Sequence, residues 1–456
     1  MNFIYDYTMG GHNFMNAWDF KNSGAFPNNS TLDHQNFDNS FKINARPGVW
    51  CIDMDRICNV SNITENNVYR IIDKNGKVKD DKNYIYRIDM FGGVGEAFPH
   101  DKKDNTVLDL IPTNTLKIIN ENKNIFIMLN YFQEGIIEYF HLKQMHEKLH
   151  ELKIPTNQCI LMFGGHDIDS WYAEFCRNHK ITQKIKIVYH NWVWKTKAKE
   201  FNEYDKNSNH VNNSYQIKPK KYNFNCLNRR LRTHRLYTLG KLEKEGLLDD
   251  NIVTYDFTIE ENIPHIKEIT EPENYALDAN QQMDFRELKK FVFSLYENKP
   301  KKTYDFEDLQ TLYGINYENA SVYEDSMFSL VTETTTIPDE FYISEKTIKP
   351  IGHNHPFIVF GSKGTLRELR RMGFRTFEPF IDESYDLMEK AEDRFNIILK
   401  EVIRLCNMTD SDKLKWMKNI KHIIEYNRNH LDSFYNMNNY FNDLHNEINI
   451  LIKKEN

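Results

Sequence analysis

Short apolar runs, each closed by a polar turn and followed by an amphipathic stretch, constrain this chain most. Asn124–Leu129 (NIFIML), Gln158–Phe163 (QCILMF) and Lys184–Tyr189 (KIKIVY) recur in that rhythm. NIFIML, short and apolar, reads as a strand buried on both faces, and the other two runs read as further strands. Between the first two lies a helical stretch to about Leu152, with apolar residues at Ile136, Ile137, Phe140, Leu142 and Met145. A second helix is expected from Ser170, a plausible N-cap. Alternation of strand and helix is the mark of a parallel sheet with crossover helices.

The rhythm extends both ways. Val49–Ile52 reads as a strand ending at Asp53 and Asp55, and Tyr84–Met90 leads into the turn-rich Phe91–Glu96. Residues 1 to about 45 read as loop or an irregular arm. Glu203–Lys221 is polar, Asn-rich and aperiodic, and reads as a linker. A second βα unit then opens: strand Tyr222–Cys226, loop Leu227–Arg230, helix Thr233–Gly246, strand Ile252–Tyr255. Residues 256–320 are acidic and mix helix with a long excursion. Apolar strands ending at Glu333 and Gly361 complete the second sheet. From Asp382 onward, Leu387, Ala391, Phe395, Ile398, Val402 and Leu405 recur at helical spacing. The expected fold is α/β, with two Rossmann-like domains facing a cleft and C-terminal helices. The expected boundaries are 1–215, 221–380 and a helical segment 381–456 that packs back on the domains.

A chain of 456 residues is long enough for two cores. Its formal charge of −7 argues against non-specific coating of nucleic acid, although a local basic groove remains compatible with it. The six cysteines are scattered without a CxxC pair, so they read as reduced and structural rather than as a disulfide or zinc framework. The N-terminus lacks a basic region followed by an apolar core, and no run of about 18 apolar residues occurs. A cytoplasmic protein without a membrane span is the expectation. The abundance of Asn, Ile, Lys and Tyr suggests an AT-rich, viral-looking source, which would make that the host cytoplasm.

Charge concentrates in two places. Arg229, Arg230, Arg232 and Arg235 cluster where a strand turns into a helix. Helix starts present free N–H groups and a positive dipole end, and guanidinium forks match phosphate oxygens bidentately. Farther on, an apolar strand ends on Glu333, and Ser344-Glu345-Lys346 opens a helix. Carboxylates accept from ribose hydroxyls and a lysine meets phosphate, so this pattern suits a sugar nucleotide.

Val331-Thr332-Glu333-Thr334, Ile343-Ser344-Glu345-Lys346 and His355-Pro356-Phe357-Ile358-Val359-Phe360-Gly361 together resemble the donor-binding domain of family 10 glycosyltransferases. These are fucosyltransferase-like enzymes of the GT-B class. Asn225-Cys226 and the arginines after it resemble the family's Ser-Asn-Cys strand. The resemblance spans about Tyr222 to Phe377, with Thr334 in place of the family's Asn and Ser344 in place of its Thr. It implies that Glu345 holds the donor ribose, that Lys346 and an arginine hold the diphosphate, and that Glu333 lines the pocket. Asn228, Arg229, Arg230, Arg235 and Ser344 complete the expected donor set. The implied reaction is inverting transfer of a sugar from a nucleotide-sugar donor to the hydroxyl of a glycan or other acceptor.

Such a reaction needs a carboxylate to take the acceptor proton. Glu134, after NIFIML, is the first candidate, followed by Asp167 and Asp169, after QCILMF, and then Glu96 in the Gly-rich loop. Each lies at a strand's carboxyl end. A helix-capping acid is the plainer reading of any one of them. No cofactor is required beyond the donor. Asp53-Met54-Asp55 and Asp167-Ile168-Asp169 have spacing that a divalent metal ion could use. Trp192 and Trp194 suit either stacking or core packing, and His166 either an acceptor contact or polar surface. Two alternative functions share the sequence: a phage-type DNA glycosyltransferase acting on flipped, hydroxymethylated bases, and a non-catalytic carbohydrate-binding or structural viral protein.

Overall fold

The computed structural model describes residues 2–5, 68–70, 83–89, 98, 106–111, 113–131, 135, 137, 139–166, 168–189, 193–194, 197–198, 201–202, 215–262, 266, 277–278, 283–302, 320–337, 341–434 and 437–453. The chain divides into two compact units, Met1–Trp192 with Asn436–Asn456, and Val193–Tyr435. Both are α/β.

In the first unit the elements run β1 (Asn2–Tyr5), β2 (Val68–Arg70), β3 (Tyr84–Asp89), α1 (Thr113–Glu121), β4 (Ile125–Tyr131), α2 (Tyr139–Glu151), β5 (Cys159–Phe163), α3 (Ile168–Asn178) and β6 (Lys186–Tyr189). The sheet is parallel throughout, in the order β2-β1-β3-β4-β5-β6. Every residue of β4 and β5 is buried, as expected of strands covered on both faces. Alternate side chains, among them Ile127, Leu129, Leu161 and Phe163, join Leu142, Met145, Leu149, Tyr172 and Phe175 from α2 and α3 in one core.

Two sequence expectations change here. Asn2–Tyr5, read as part of an irregular arm, is a strand: its backbone pairs in parallel with Val68–Arg70 on one side and Tyr84–Tyr86 on the other. Ser170 does not cap α3. The helix already begins at Ile168, whose buried side chain anchors the first turn, and Asp169 is the acid of that turn. Val49–Ile52 lies outside the described residues.

The second unit runs β7 (Tyr222–Leu227), α4 (Thr233–Lys244), β8 (Ile252–Asp256), β9 (Leu277–Asp278), β10 (Met283–Asp284), α5 (Lys289–Asn298), β11 (Lys301–Lys302), α6 (Ala320–Asp325), β12 (Ser326–Thr332), α7 (Glu345–Gly352), β13 (Phe357–Phe360), α8 (Thr365–Arg371), α9 (Ala391–Cys406) and α10 (Asp410–Ser433). Its main sheet has the order β11-β8-β7-β12-β13, parallel except for the short edge strand β11. From β7 the chain moves outward to β8, and from β12 it moves the other way to β13. The carboxyl ends of β7 and β12 therefore flank a topological switch point, where open α/β sheets bind ligands.

The unit begins at Val193, ahead of the polar linker expected from composition, because Trp194, Ala198 and Phe201 are buried in the second core. The C-terminal helices divide between the units. Those at 391–433 belong to the second, while α11 (Met437–Lys453) belongs to the first and buries Leu444, Ile448 and Ile452 at helical spacing. Leu387 breaks the apolar pattern read from the sequence. It sits in a short 3-10 turn, Ser384–Leu387, and is 69% exposed. Among the described residues, no helix is long and apolar enough to cross a membrane.

Candidate functional site

The switch point of the second unit brings together the two charge concentrations of the sequence. After β7 the chain passes through Asn228 to Arg232, and Arg232 is the N-cap residue of α4 in extended conformation. After β12 it passes through Glu333 and Thr334, and Ser344 caps α7. The Arg232 guanidinium donates to the Thr334 carbonyl at 2.5 Å. The Lys346 ammonium donates to the Thr334 hydroxyl at 3.3 Å, to Ser344 Oγ at 3.3 Å and to Glu345 Oε1 at 2.8 Å. Two cations separated by 114 positions in the chain thus meet on one threonine.

Beneath them lies Glu333, fully buried. Its carboxylate accepts from Ser344 Oγ at 2.6 Å, Ser344 N at 3.2 Å and Thr334 N at 3.1 Å, and from the Thr347 hydroxyl. A carboxylate offers about four lone-pair sites. Those of Glu333 are spent on tying the end of β12 to the first turn of α7. Glu333, expected from the sequence to line the donor pocket, has its carboxylate tied to Thr334, Ser344 and Thr347.

Asn228 and Arg235 are also spent internally. Asn228 is buried; its side chain accepts from Thr332 Oγ1 at 2.6 Å and donates to Cys226 Sγ at 3.3 Å, while its N–H donates to Thr254. It ties β7 to β12. The buried Arg235 guanidinium donates to the carbonyls of Arg230, Thr332 and Glu333 at 2.8–3.2 Å. Burial, assisted by the charge of Arg232, lowers its pKa to about 10, so it is a cation at neutral pH. Both are tied into the frame of the site through these bonds, with the buried Nε of Arg235 left without a hydrogen-bond partner.

The groups left toward solvent are Arg229, half-buried, Arg230, exposed, the Arg232 fork, and the Glu345–Lys346 pair, whose side chains are 34% and 28% exposed. Burial works against ionisation of Glu345. The charges of Lys346 and Lys349 and the hydrogen bond from Lys346 outweigh it and hold the carboxyl well below the usual carboxylate range. It is therefore an acceptor only at neutral pH.

Sequence reading passed over three contributors. Arg232 stands in the arginine cluster directly before the helix, the position of a cap residue. Thr334 figured only as a departure from a family pattern. Asn262, which accepts from Leu231 N at 2.8 Å and donates to the Arg229 carbonyl at 3.2 Å, pins the arginine loop, and no local signal announces it. Gly361, at the end of β13, lies close to the same frame: a Cβ there would sit 2.8 Å from Thr365 Oγ1 and 3.4 Å from the Glu333 side chain. The close approach, rather than backbone conformation, requires glycine.

Of the carboxylates expected to act as base, Glu96, Glu134 and Asp167 lie outside the described residues, as do Asp53, Asp55 and Trp192. Asp169 is exposed in the first turn of α3, after β5 in the first unit. His166 is buried, with Nδ1 2.9 Å from the Tyr189 hydroxyl. Trp194 is wholly buried and donates to the Ile343 carbonyl at 3.0 Å, so it packs in the core of the second unit. Among the described residues, Cys159, Cys176, Cys226 and Cys406 are free thiols, and no group of three or more His, Cys, Asp or Glu converges on a metal-sized point. No family model matches the chain, and neither a curated protein nor a solved structure matches it.

Proposed function

We propose that the second unit binds the diphosphate of a nucleotide sugar at the β7/β12 switch point, and that the chain transfers the sugar to an acceptor hydroxyl with inversion. The observation that carries this reading is the meeting of Arg232 and Lys346 on Thr334. Arg232 is held there by a neutral carbonyl, and Lys346 partly by hydroxyls. Phosphate oxygens are stronger acceptors for both cations, so a diphosphate would replace those contacts favourably. The ionised Glu345 beside them suits the ribose hydroxyls. The start of α7 adds a positive dipole end.

In such a transfer the acceptor oxygen forms a bond to the anomeric carbon as the bond from that carbon to the diphosphate oxygen breaks. The leaving diphosphate takes the electron pair, and Arg232 and Lys346 stabilise the added charge. A carboxylate takes the acceptor proton, and Glu134, Asp167, Asp169 and Glu96 remain the candidates. The nucleotide-sugar donor is the co-substrate, and a glycan or other hydroxyl compound is the acceptor. A GT-B arrangement of two Rossmann-like domains accords with two α/β units in one chain.

The test is a thermal-shift and calorimetric screen over GDP, UDP and ADP and their sugars. One nucleoside diphosphate should raise the melting temperature, because a ligand of the folded state alone stabilises it. Arg232→Ala and Lys346→Ala should each abolish the shift. Absence of binding across the panel, or binding indifferent to both substitutions, would overturn the reading.

A further inference from the structure

Trp194 stands directly after Val193, the first residue of the second unit, and is wholly buried. Its ring packs against Phe374, with centroids 5.0 Å apart, and against Phe434, at 6.1 Å. Phe374 and Phe434 stack on each other at 5.7 Å, and Phe434 directly precedes Tyr435, where the unit ends. Three rings thus fasten the two ends of the unit together. A phenylalanine at 194 could supply that packing. What the indole adds is an N–H, and it donates to the Ile343 carbonyl at 3.0 Å, 149 positions away.

Ile343 is the residue before Ser344, the cap of α7, so this bond lands at the start of the helix that carries Glu345 and Lys346. The same stretch of chain also meets the other end of α7. Trp194, Ala198 and Phe201 are buried in one core at the spacing of a helix face. Gly352 is the last residue of α7, and a Cβ there would overlap the Phe201 ring. His353, the next residue, meets that ring edge-on at 5.2 Å. The 8 residues of α7 span about 12 Å, and Trp194 and Phe201 bracket that length. Glu333 fixes the first turn separately, through Ser344 and Thr347.

From these attachments we infer that Trp194 is a positioning residue for nucleotide binding: its N–H sets where α7 begins, and so where Glu345 and Lys346 present their charges. The inference rests on the donor reading of the β7/β12 switch point and extends it to a residue outside that point. Trp194 acts through Ile343 and Ser344 rather than by touching the ligand. Without the indole N–H the Ile343 carbonyl loses that buried donor. A buried acceptor left unmet is costly, so the segment before Ser344 shifts to recover a partner. Hydrogen bonds from an ammonium or to a carboxylate weaken steeply once distance and angle leave their preferred range. A small displacement of the α7 start therefore lowers affinity.

The test replaces Trp194 by its isostere benzothienylalanine in the full chain, which keeps the bicyclic shape and deletes only the N–H. Calorimetry with GDP, UDP and ADP should show affinity for the diphosphate that the parent binds falling by about 5-fold or more. Amide hydrogen exchange, which reports local opening, should quicken across residues 343–352. Trp194→Phe should reproduce both effects with a larger loss of melting temperature, because it also leaves a cavity. Leu295→Ala, in α5 of the same core, serves as the control. It should lower the melting temperature while leaving affinity and exchange at 343–352 unchanged. Unchanged affinity or unchanged exchange in the isostere variant, or an equal loss of affinity in Leu295→Ala, overturns this inference alone. A parent that binds none of the three diphosphates overturns the donor reading and this inference with it.

Discussion

Arg232 and Lys346 share Thr334: one donates to its carbonyl at 2.5 Å and the other to its hydroxyl at 3.3 Å. If both close on the same diphosphate, their contributions to nucleotide binding are coupled. Arg232→Ala and Lys346→Ala should each weaken nucleoside diphosphate binding by roughly 10- to 100-fold, in line with about 1.5–3 kcal/mol for charged hydrogen bonds. The double variant should lose less than the sum, because either loss leaves the remaining cation poorly placed. Calorimetric titration of all four proteins checks this.

Glu333 and Glu345 should separate stability from binding. Glu333→Gln places an amide NH₂ against groups that already donate: the Ser344 amide and hydroxyl and the Thr347 hydroxyl. Leaving buried donors unmet costs on the order of 3 kcal/mol, or about 6–12 °C in melting temperature for a unit of this size. Glu345→Gln removes the charge paired with Lys346, so it should lower the melting temperature by less than Glu333→Gln does while reducing nucleotide affinity. Calorimetric melts and titrations of the two variants, side by side, decide it.

Acid should destabilise the second unit through His355. The ring is buried, with Nδ1 2.9 Å from Ser329 Oγ and Nε2 3.0 Å from the Ser326 carbonyl. Burial lowers its pKa from 6.5 to about 3, and the nearby His353 shifts in the same direction to about 3. The unfolded chain binds these protons near pH 6.5, whereas the folded chain resists them until about pH 3. Stability is therefore full above pH 6.5 and declines as the pH falls toward 3. Denaturant unfolding at pH 7, 5 and 4 should show the decline, and it should be shallower in His355→Gln.

Arg394 is a buried cation held by main-chain carbonyls. It donates to Gly361 at 3.1 Å, to Met388 at 2.9 Å, to Glu389 at 2.7 Å and to Thr336, joining the loops after β12 and β13 to α9. A lysine supplies charge without the planar fork and leaves carbonyls unmet. Arg394→Lys should cost roughly 2–4 kcal/mol, measured by chemical denaturation, with nucleotide affinity reduced only as far as the Glu333–Thr336 segment loosens.

Much of this protein follows from local pattern. NIFIML, QCILMF and the strands ending at Cys226, Glu333 and Gly361 are legible because a strand covered on both faces must be apolar throughout. Ser344 as a helix cap is legible because a hydroxyl before a helical stretch satisfies free N–H groups, and here it accepts from Lys346 N at 3.3 Å. Asn2–Tyr5 was not legible: its membership in a sheet depends on partners at 68–70 and 84–86. Leu387 misled because spacing records where apolar residues fall, not whether a helix continues through them.

For the candidate site, residue type and order along the chain placed arginines before one helix and a Glu-Lys pair at the start of another. Tertiary structure alone decided which of these groups face solvent. Arg235, Asn228 and Glu333 have the chemistry of ligand-binding groups, yet each is consumed by donors or acceptors brought from about 26 to 104 positions away or from an adjoining loop. Whether a polar side chain serves the frame or a ligand depends on which partners the fold brings within about 3 Å, a distance set by the sheet order and not by any stretch of sequence.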